Sequence, residues 1–368
     1  MSHLDPPFRA DHVGSLLRPP EVHAARQRAA AGEISAAELR SVEDAAIASA
    51  VRSLEGVGMH SITDGEFRRG WFHLDFLQQL AGVAVTGSIA ASSDAAQTVH
   101  LTPPKLSVVG RLGHPRDIQV DDFRYLASLT SETPKVCIPS PTMVHFRGGR
   151  AAIDIDAYPD LEQFFADLAA VYRAEIDALY AAGCRYLQLD DTNLAYLCDP
   201  VMREGAVERG DDPDELPYAY AELINAALDD RAHDMTVAIH LCRGNYRSTW
   251  FAEGGYEPVA EVLFNELQVD AYFLEYDDER SGDFAPLRHV PDGKTVVLGL
   301  VTSKRPELES YDELAARVEE ASAYVPLQQL CLSPQCGFAS TVEGNALTAD
   351  EQWAKLSLVV DTAARIWS

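Results

Sequence analysis

Lysine is scarce in this chain: five of its 30 basic residues are Lys, against 57 acidic ones, and the formal net charge is −27. Nucleic acid and anionic membrane surfaces call for clustered basic side chains, so this balance excludes both as partners. Long apolar runs are missing too. Stretches such as 236–241 and 295–301 fall far short of the ~20 residues that cross a bilayer. The first residues, Met1-Ser2-His3-Leu4-Asp5-Pro6-Pro7, have neither a basic start nor an apolar core, so no secretory leader is expected and a cytoplasmic location follows. Cysteine is sparse, six in 368 residues, which excludes a disulfide scaffold and predicts reduced thiols. Cys137, Cys184 and Cys331 sit in strand-like runs and read as small buried apolar residues. An acidic, Lys-poor surface suits a salt-rich cytoplasm or reflects genome composition, and both readings stay open.

What the chain does have is enough apolar material, 47% of its residues, for a large core. Short β-branched runs at 10–15, 59–63, 135–138, 186–189, 236–240, 271–274, 295–300 and 329–332 alternate with amphipathic segments. The clearest of these segments are 35–55, 161–182, 215–231, 311–323 and 349–367. Eight βα units in one chain predict an α/β fold, a (β/α)8 TIM barrel spanning 1–368 as a single catalytic domain. Residues 81–111 break the rhythm with alternating Val, Thr and Ser and a Pro-Pro stop, which predicts an inserted β-hairpin or lid. That segment is also a candidate homodimer contact. No internal repeat or low-complexity linker divides the chain.

Against this background four residues stand out: His240 and Cys242 after the fifth strand, Glu275 after the sixth and Cys336 after the eighth. Residues two apart on a strand point to one side, so His240 and Cys242 converge, and barrel active sites gather at the C-terminal ends of strands. A lone His-x-Cys is more often structural; the shared placement raises the odds. Two thiolates and an imidazole suit Zn2+, and a thiol bound to such a metal is deprotonated, which points to a substrate thiol made nucleophilic. With neutral His240, two thiolates and ionised Glu275 the zinc centre carries net −1, a charge preserved when a substrate thiolate replaces Glu275. Glu275 is therefore expected to be displaceable.

The ordered series Asp11-His12-Val13-Gly14-Ser15, Thr63-Asp64-Gly65-Glu66, Leu187-Gln188-Leu189-Asp190, His240-x-Cys242, Glu275 and Pro334-Gln335-Cys336-Gly337 resembles the C-terminal catalytic barrel of the cobalamin-independent methionine synthases, and more closely their short single-barrel relatives. The resemblance implies zinc held by His240, Cys242, Glu275 and Cys336. It implies homocysteine held by Ser15 at its carboxylate and by Glu66 and Asp190 at its ammonium, with Glu275 and Asp190 in catalytic roles. Three departures concern the methyl donor. The family's Asp-Glu-Pro is Asp190-Asp191-Thr192 here, its Ile-His-Ser is Val301-Thr302-Ser303, and the loop 141–147 lacks the family's folate-stacking tryptophan. The N-terminal half of the large synthases has no counterpart. Methylfolate, a methylated corrinoid protein and a small methyl compound are all open as donors.

Arg68-Arg69 and Arg243 with Arg247 are candidate grips for an anionic group, and Trp71, Tyr246 and Trp250 candidate walls of a donor pocket. The first reading is zinc-dependent methylation of homocysteine to methionine. A second uses the same metal on another thiol, such as coenzyme M opening an epoxide, with the arginines near Glu66 and Cys242 (Arg68-Arg69, Arg243 and Arg247) gripping the sulfonate; retention of Glu66 and Asp190 favours an amino thiol. A third is a zinc-binding barrel without turnover. Decarboxylation on a related barrel has no use for the sulfur ligands.

Overall fold

Seven parallel strands lie side by side in the order in which the chain makes them. The computed structural model describes residues 5–88 and 104–368. Its strands are β1 (Ser61–Ile62), β2 (Ala81–Ser88), β3 (Pro104–Gly113), β4 (Thr133–Pro139), β5 (Tyr186–Asp191), β6 (Thr236–Leu241), β7 (Ala271–Glu275), β8 (Thr295–Val301) and β9 (Leu330–Pro334). The large sheet runs β1-β4-β5-β6-β7-β8-β9, every neighbour pair that defines it being parallel. Helices such as Leu161–Ala181, Leu216–Ala227 and Tyr311–Ser322 fill the crossovers, Ala36–Gly56 precedes β1 and Ala349–Ile366 follows β9. Strands β5, β7, β8 and β9 are buried at every position, as expected where a parallel sheet is covered on both faces.

The sheet is curled, because the segment before β1 touches both of its edges. Ala10 bridges Leu332 in β9, with Asp11 N–H donating to Leu332 O at 3.0 Å and Leu332 N–H to Arg9 O at 2.9 Å. On the other side, Ser61 in β1 donates its hydroxyl to Asp11 Oδ1 at 2.7 Å, and Leu16 N–H donates to Gly65 O at 3.0 Å. The run 10–15, expected as a full strand, is therefore a single bridge backed by side-chain bonds. Strand β1 is shorter than expected as well. The turn after it is fixed by Thr63 and Asp64, whose side chains accept from Gly65 N–H and Glu66 N–H, and it carries positive φ at both Gly65 and Glu66. That geometry ends a strand.

Two apolar layers follow from the curl. A small cluster of Val13, Tyr186, Ala238, Ala271, Phe273, Val297 and Cys331 fills the inside of the curled sheet, one or two residues from successive strands. The larger cluster, with Leu187, Leu189, Val237, Ile239 and Leu298 among its members, packs the sheet against the helices. The helices start on capping boxes at Ser35/Glu38, Ser310/Glu313 and Thr348/Glu351, so three helix origins are written in local sequence. Strands β2 and β3 form a separate antiparallel pair. The middle of segment 81–111, residues 89–103, lies outside the described residues. Among the described residues no helix is long and apolar enough to cross a membrane.

Candidate metal centre and substrate cleft

Parallel register places the C-terminal ends of the strands on one rim. Pro139 pairs with Asp190 and Asp190 with His240, while Glu275 closes β7 opposite Gly299. His240 and Cys242 alternate to one side, and Cys336 lies two residues beyond the end of β9. The result is that His240, Cys242, Glu275 and Cys336, all buried, bring one ligand atom each to within 4.8 Å of one another. The Sγ atoms of Cys242 and Cys336 are 3.5 Å apart.

The electrostatics divide this cluster into two parts. Cys336 is held well below the ordinary thiol range, first by the hydrogen bond from Cys242 and then by the His240 imidazole, against the opposing effect of burial. Cys242 is correspondingly pushed up by its bond to Cys336 and by burial. Burial works to raise the Glu275 carboxyl, but Lys304, Arg280, His240 and Arg243 outweigh it and hold the group at about 2. Both its oxygens are engaged: Arg243 N–H donates to Oε1 and the Arg280 guanidinium to Oε2, each at 3.0 Å. By contrast, the two buried ring nitrogens of His240 meet no hydrogen-bond partner other than the Cys336 sulfur. A buried imidazole so poorly satisfied is costly, and a metal ligand is the role that satisfies it. The donor set of one nitrogen, two sulfurs and one carboxylate fits zinc.

Next to this cluster lie Ser15, Glu66 and Asp190, which line the same cleft as His240, Cys242 and Cys336. Glu275 is fully buried and is not part of the cleft wall. Ser15 is fixed by Phe338 N–H donating to its carbonyl at 2.9 Å and Ala339 N–H to its hydroxyl at 3.3 Å. This approach explains the glycine after Cys336: a Cβ on Gly337 would sit 1.9 Å from Ser15 Oγ. Asp190 accepts from Gln188 Nε2 at 2.7 Å; burial raises its carboxyl, and Arg69 is the foremost opposing charge. The rest of the cleft is apolar and aromatic, with Trp71, Phe72, Phe146, Tyr246 and Phe251, and it also admits His73, Arg147 and Arg209.

Two of the expected site residues lie away from the cleft. Arg68 pairs with Asp44, with Asp122 at 3.3 Å and with Asp64 at 3.8 Å, and does not line the cleft. Arg243 follows Cys242 and so turns to the opposite side; its fully buried guanidinium stacks over Tyr256 at 4.4 Å. Of the aromatic candidates, Trp71 and Tyr246 line the cleft, whereas Trp250 is 37% exposed and stacks under Arg280. Arg247 lies over the Tyr246 ring, 5.7 Å from its centroid. Lys304 and Arg280 escaped the reading of the sequence, although Arg280 sits five residues after Glu275, directly behind Asp277, Asp278 and Glu279. Phe146, in the loop that lacks the expected tryptophan, also reaches the cleft.

Comparison with known proteins agrees with this geometry. Residues 8–365 match the family described as "Cobalamin-independent synthase, Catalytic domain". Two uncharacterized proteins of Bacillus subtilis (strain 168), YxjH and YxjG, are each 47% identical to this chain, over 98% of it and 95% of their own lengths. A structure from Listeria monocytogenes, named "Putative Vitamin-B12 Independent Methionine Synthase", is 41% identical, covers 99% of both chains and has a TM-score of 0.79. With a match over nearly its whole length and relatives at this identity, the chain belongs to the family of cobalamin-independent synthase catalytic domains.

Proposed function

We propose that this protein is a zinc-dependent methyltransferase that methylates homocysteine to methionine. The observation that carries the reading is the juxtaposition of the buried His240, Cys242, Glu275, Cys336 cluster with Ser15, Glu66 and Asp190 at one cleft. Zinc is held by the four clustered residues. When bound, it supplies a Lewis acid that keeps a substrate thiol deprotonated at neutral pH.

The chain's own residues do the rest. Glu66 and Asp190 receive the substrate ammonium and Ser15 its carboxylate, which aims the sulfur at the metal cluster. Glu275, with both oxygens bonded to Arg243 N–H and Arg280, keeps its charge compensated and would stay ionised whether or not it holds a metal, which leaves it displaceable by a substrate thiolate. The aromatic wall excludes water and aligns the methyl donor. Sulfur forms the bond to the methyl carbon while the carbon's bond to the donor breaks, its electron pair leaving with the donor. Methylfolate, a methylated corrinoid protein and a small methyl compound are the donors this cleft leaves open. In the same reading the chain is one closed (β/α)8 barrel, the segment at Ala10 being its eighth stave. It works in the cytoplasm, with the β2–β3 hairpin as lid or homodimer contact.

The coenzyme M alternative needs an arginine for the sulfonate: Arg68 and Arg243 lie outside the cleft and Arg69 is paired with Glu66, while Arg147 and Arg209 line it. Zinc K-edge absorption on the purified protein separates the readings. Addition of L-homocysteine is expected to add one sulfur neighbour to the metal. A gain with coenzyme M alone moves the function to another alkyl transfer, and no change with either thiol leaves a zinc-binding barrel without turnover.

A further inference from the structure

The ammonium end of the cleft already holds a cation. The guanidinium of Arg69 ion-pairs with Glu66 and lies 3.9 Å from Asp190 Oδ2. Its backbone is pinned by Arg18, which donates to the carbonyls of Glu66 at 2.9 Å and Arg69 at 2.7 Å. A third group joins the two carboxylates here. The ligand atoms of Glu66, Cys137 and Asp190 lie within 4.8 Å of one another, a second constellation with the composition of a metal site. Gly14 makes their approach possible: at φ +141° it stands where a Cβ would be 2.7 Å from both Cys137 Sγ and Glu66 Oε1.

One sulfur and two carboxylates form a donor set that binds divalent cations such as zinc, and a metal would deprotonate the thiol. A cell that loads the first site therefore endangers the second. Charge counting shows what Arg69 does about it. Two carboxylates and one guanidinium carry net −1, which one ammonium neutralises with Cys137 left as a thiol; a dication would have to share both carboxylates with the guanidinium already beside them, or displace it. We propose that Arg69 sets the specificity of this subsite, standing in the place of a divalent cation and leaving charge for one ammonium only. The ammonium half of the inference rests on the homocysteine reading; the metal half does not. Arg69 is thus a positioning and specificity residue, and the reacting sulfur and methyl group need not touch it.

The test is a metal count on the full chain. Wild type, Arg69→Met, Arg69→Lys and the double variant Arg69→Met/Cys137→Ala are saturated with zinc, freed of loosely held metal by gel filtration and measured by mass spectrometry. Arg69→Met is expected to hold one further equivalent of zinc per chain. Arg69→Lys, which keeps the charge, and the double variant, which removes the sulfur, are expected to match wild type. In Arg69→Met, zinc beyond the wild-type content raises the KM for homocysteine by about tenfold or more while wild type is unaffected. Arg69→Gln, which retains a donor for Glu66, serves where the methionine variant does not fold and must show the same gain. A folded Arg69→Met or Arg69→Gln with wild-type metal content overturns the inference. If wild type fails to bind homocysteine at its zinc, the proposed function falls, and the metal count still decides the role of Arg69.

Discussion

Gly337 has no room for a methyl group, and this single contact couples Ser15, the proposed carboxylate grip, to Cys336, a candidate metal ligand. Replacing Gly337 with Ala puts a carbon 1.9 Å from Ser15 Oγ and 3.1 Å from Ser15 Cβ. Ser15 cannot retreat freely, since its backbone carbonyl and hydroxyl are both bonded to the chain that follows Cys336. Gly337→Ala is therefore expected to cost about 1–3 kcal/mol by overpacking and to raise the KM for homocysteine. Ser15→Ala alone loses only the hydroxyl. Because Ser15→Ala removes the atom in the clash, the double variant should be more stable than the sum of the single effects predicts. A thermal-melt double-mutant cycle measures this coupling. Simple additivity would mean that the two residues do not press on each other.

At the scale of the element, the helix Ala349–Ile366 begins on Thr348, whose hydroxyl accepts from Glu351 N–H while Glu351 accepts from Thr348 N–H. It packs Leu356 and Val359 into the main core. Thr348→Ala removes one half of the box and is expected to cost about 1 kcal/mol, read as a drop of a few degrees in melting temperature with homocysteine binding unchanged. Caps of this kind explain why helices were the legible part of the sequence, and strands buried on both faces were legible as continuous apolar runs. The run 10–15 was not, because its polar members Asp11, His12 and Ser15 make the contacts that a ladder would otherwise make. That His240, Cys242, Glu275 and Cys336 gather at one rim was legible from strand ends and alternation, and the family resemblance named the same four residues. That Arg243 turns away from them follows from the same alternation. What no local pattern signals is the fate of a long cation: Arg68 is captured by Asp44 and Asp122, and Lys304, in the turn after β8, acts on Glu275 through its charge.

The whole molecule carries a formal charge of −27 yet buries a polar knot within its curled sheet. Lys135 Nζ lies 3.3 Å from Asp11 Oδ1 and donates to His12 O at 2.6 Å, Tyr186 donates to Asp11 Oδ2 at 2.8 Å, and His12 Nε2 donates to Ser61 O at 3.0 Å. Burial, and then the charge of Lys135, lower His12 to about 4, with Asp11 opposing. Burial, then Arg209 and Arg150, lower His145 to about 4, where its Nδ1 meets Tyr220 OH at 2.9 Å. An unfolded histidine titrates near 6.5, so from there down to about 4 the unfolded chain binds protons that the folded chain refuses. The contribution of each is whole above pH 6.5, shrinks as pH falls and is gone near pH 4, up to about 3 kcal/mol apiece. Asp64 and Asp191, raised by burial, act in the opposite direction, since the folded chain takes up their protons first. Relief of charge repulsion adds to them as ordinary carboxylates titrate. The histidine term is isolated by comparing wild type with His12→Gln/His145→Gln at matched ionic strength. The melting temperature of wild type is expected to fall further than that of the double variant between pH 7 and pH 5. Parallel curves would mean that the two imidazoles accept protons in place, and that the knot at Asp11 has room for another charge.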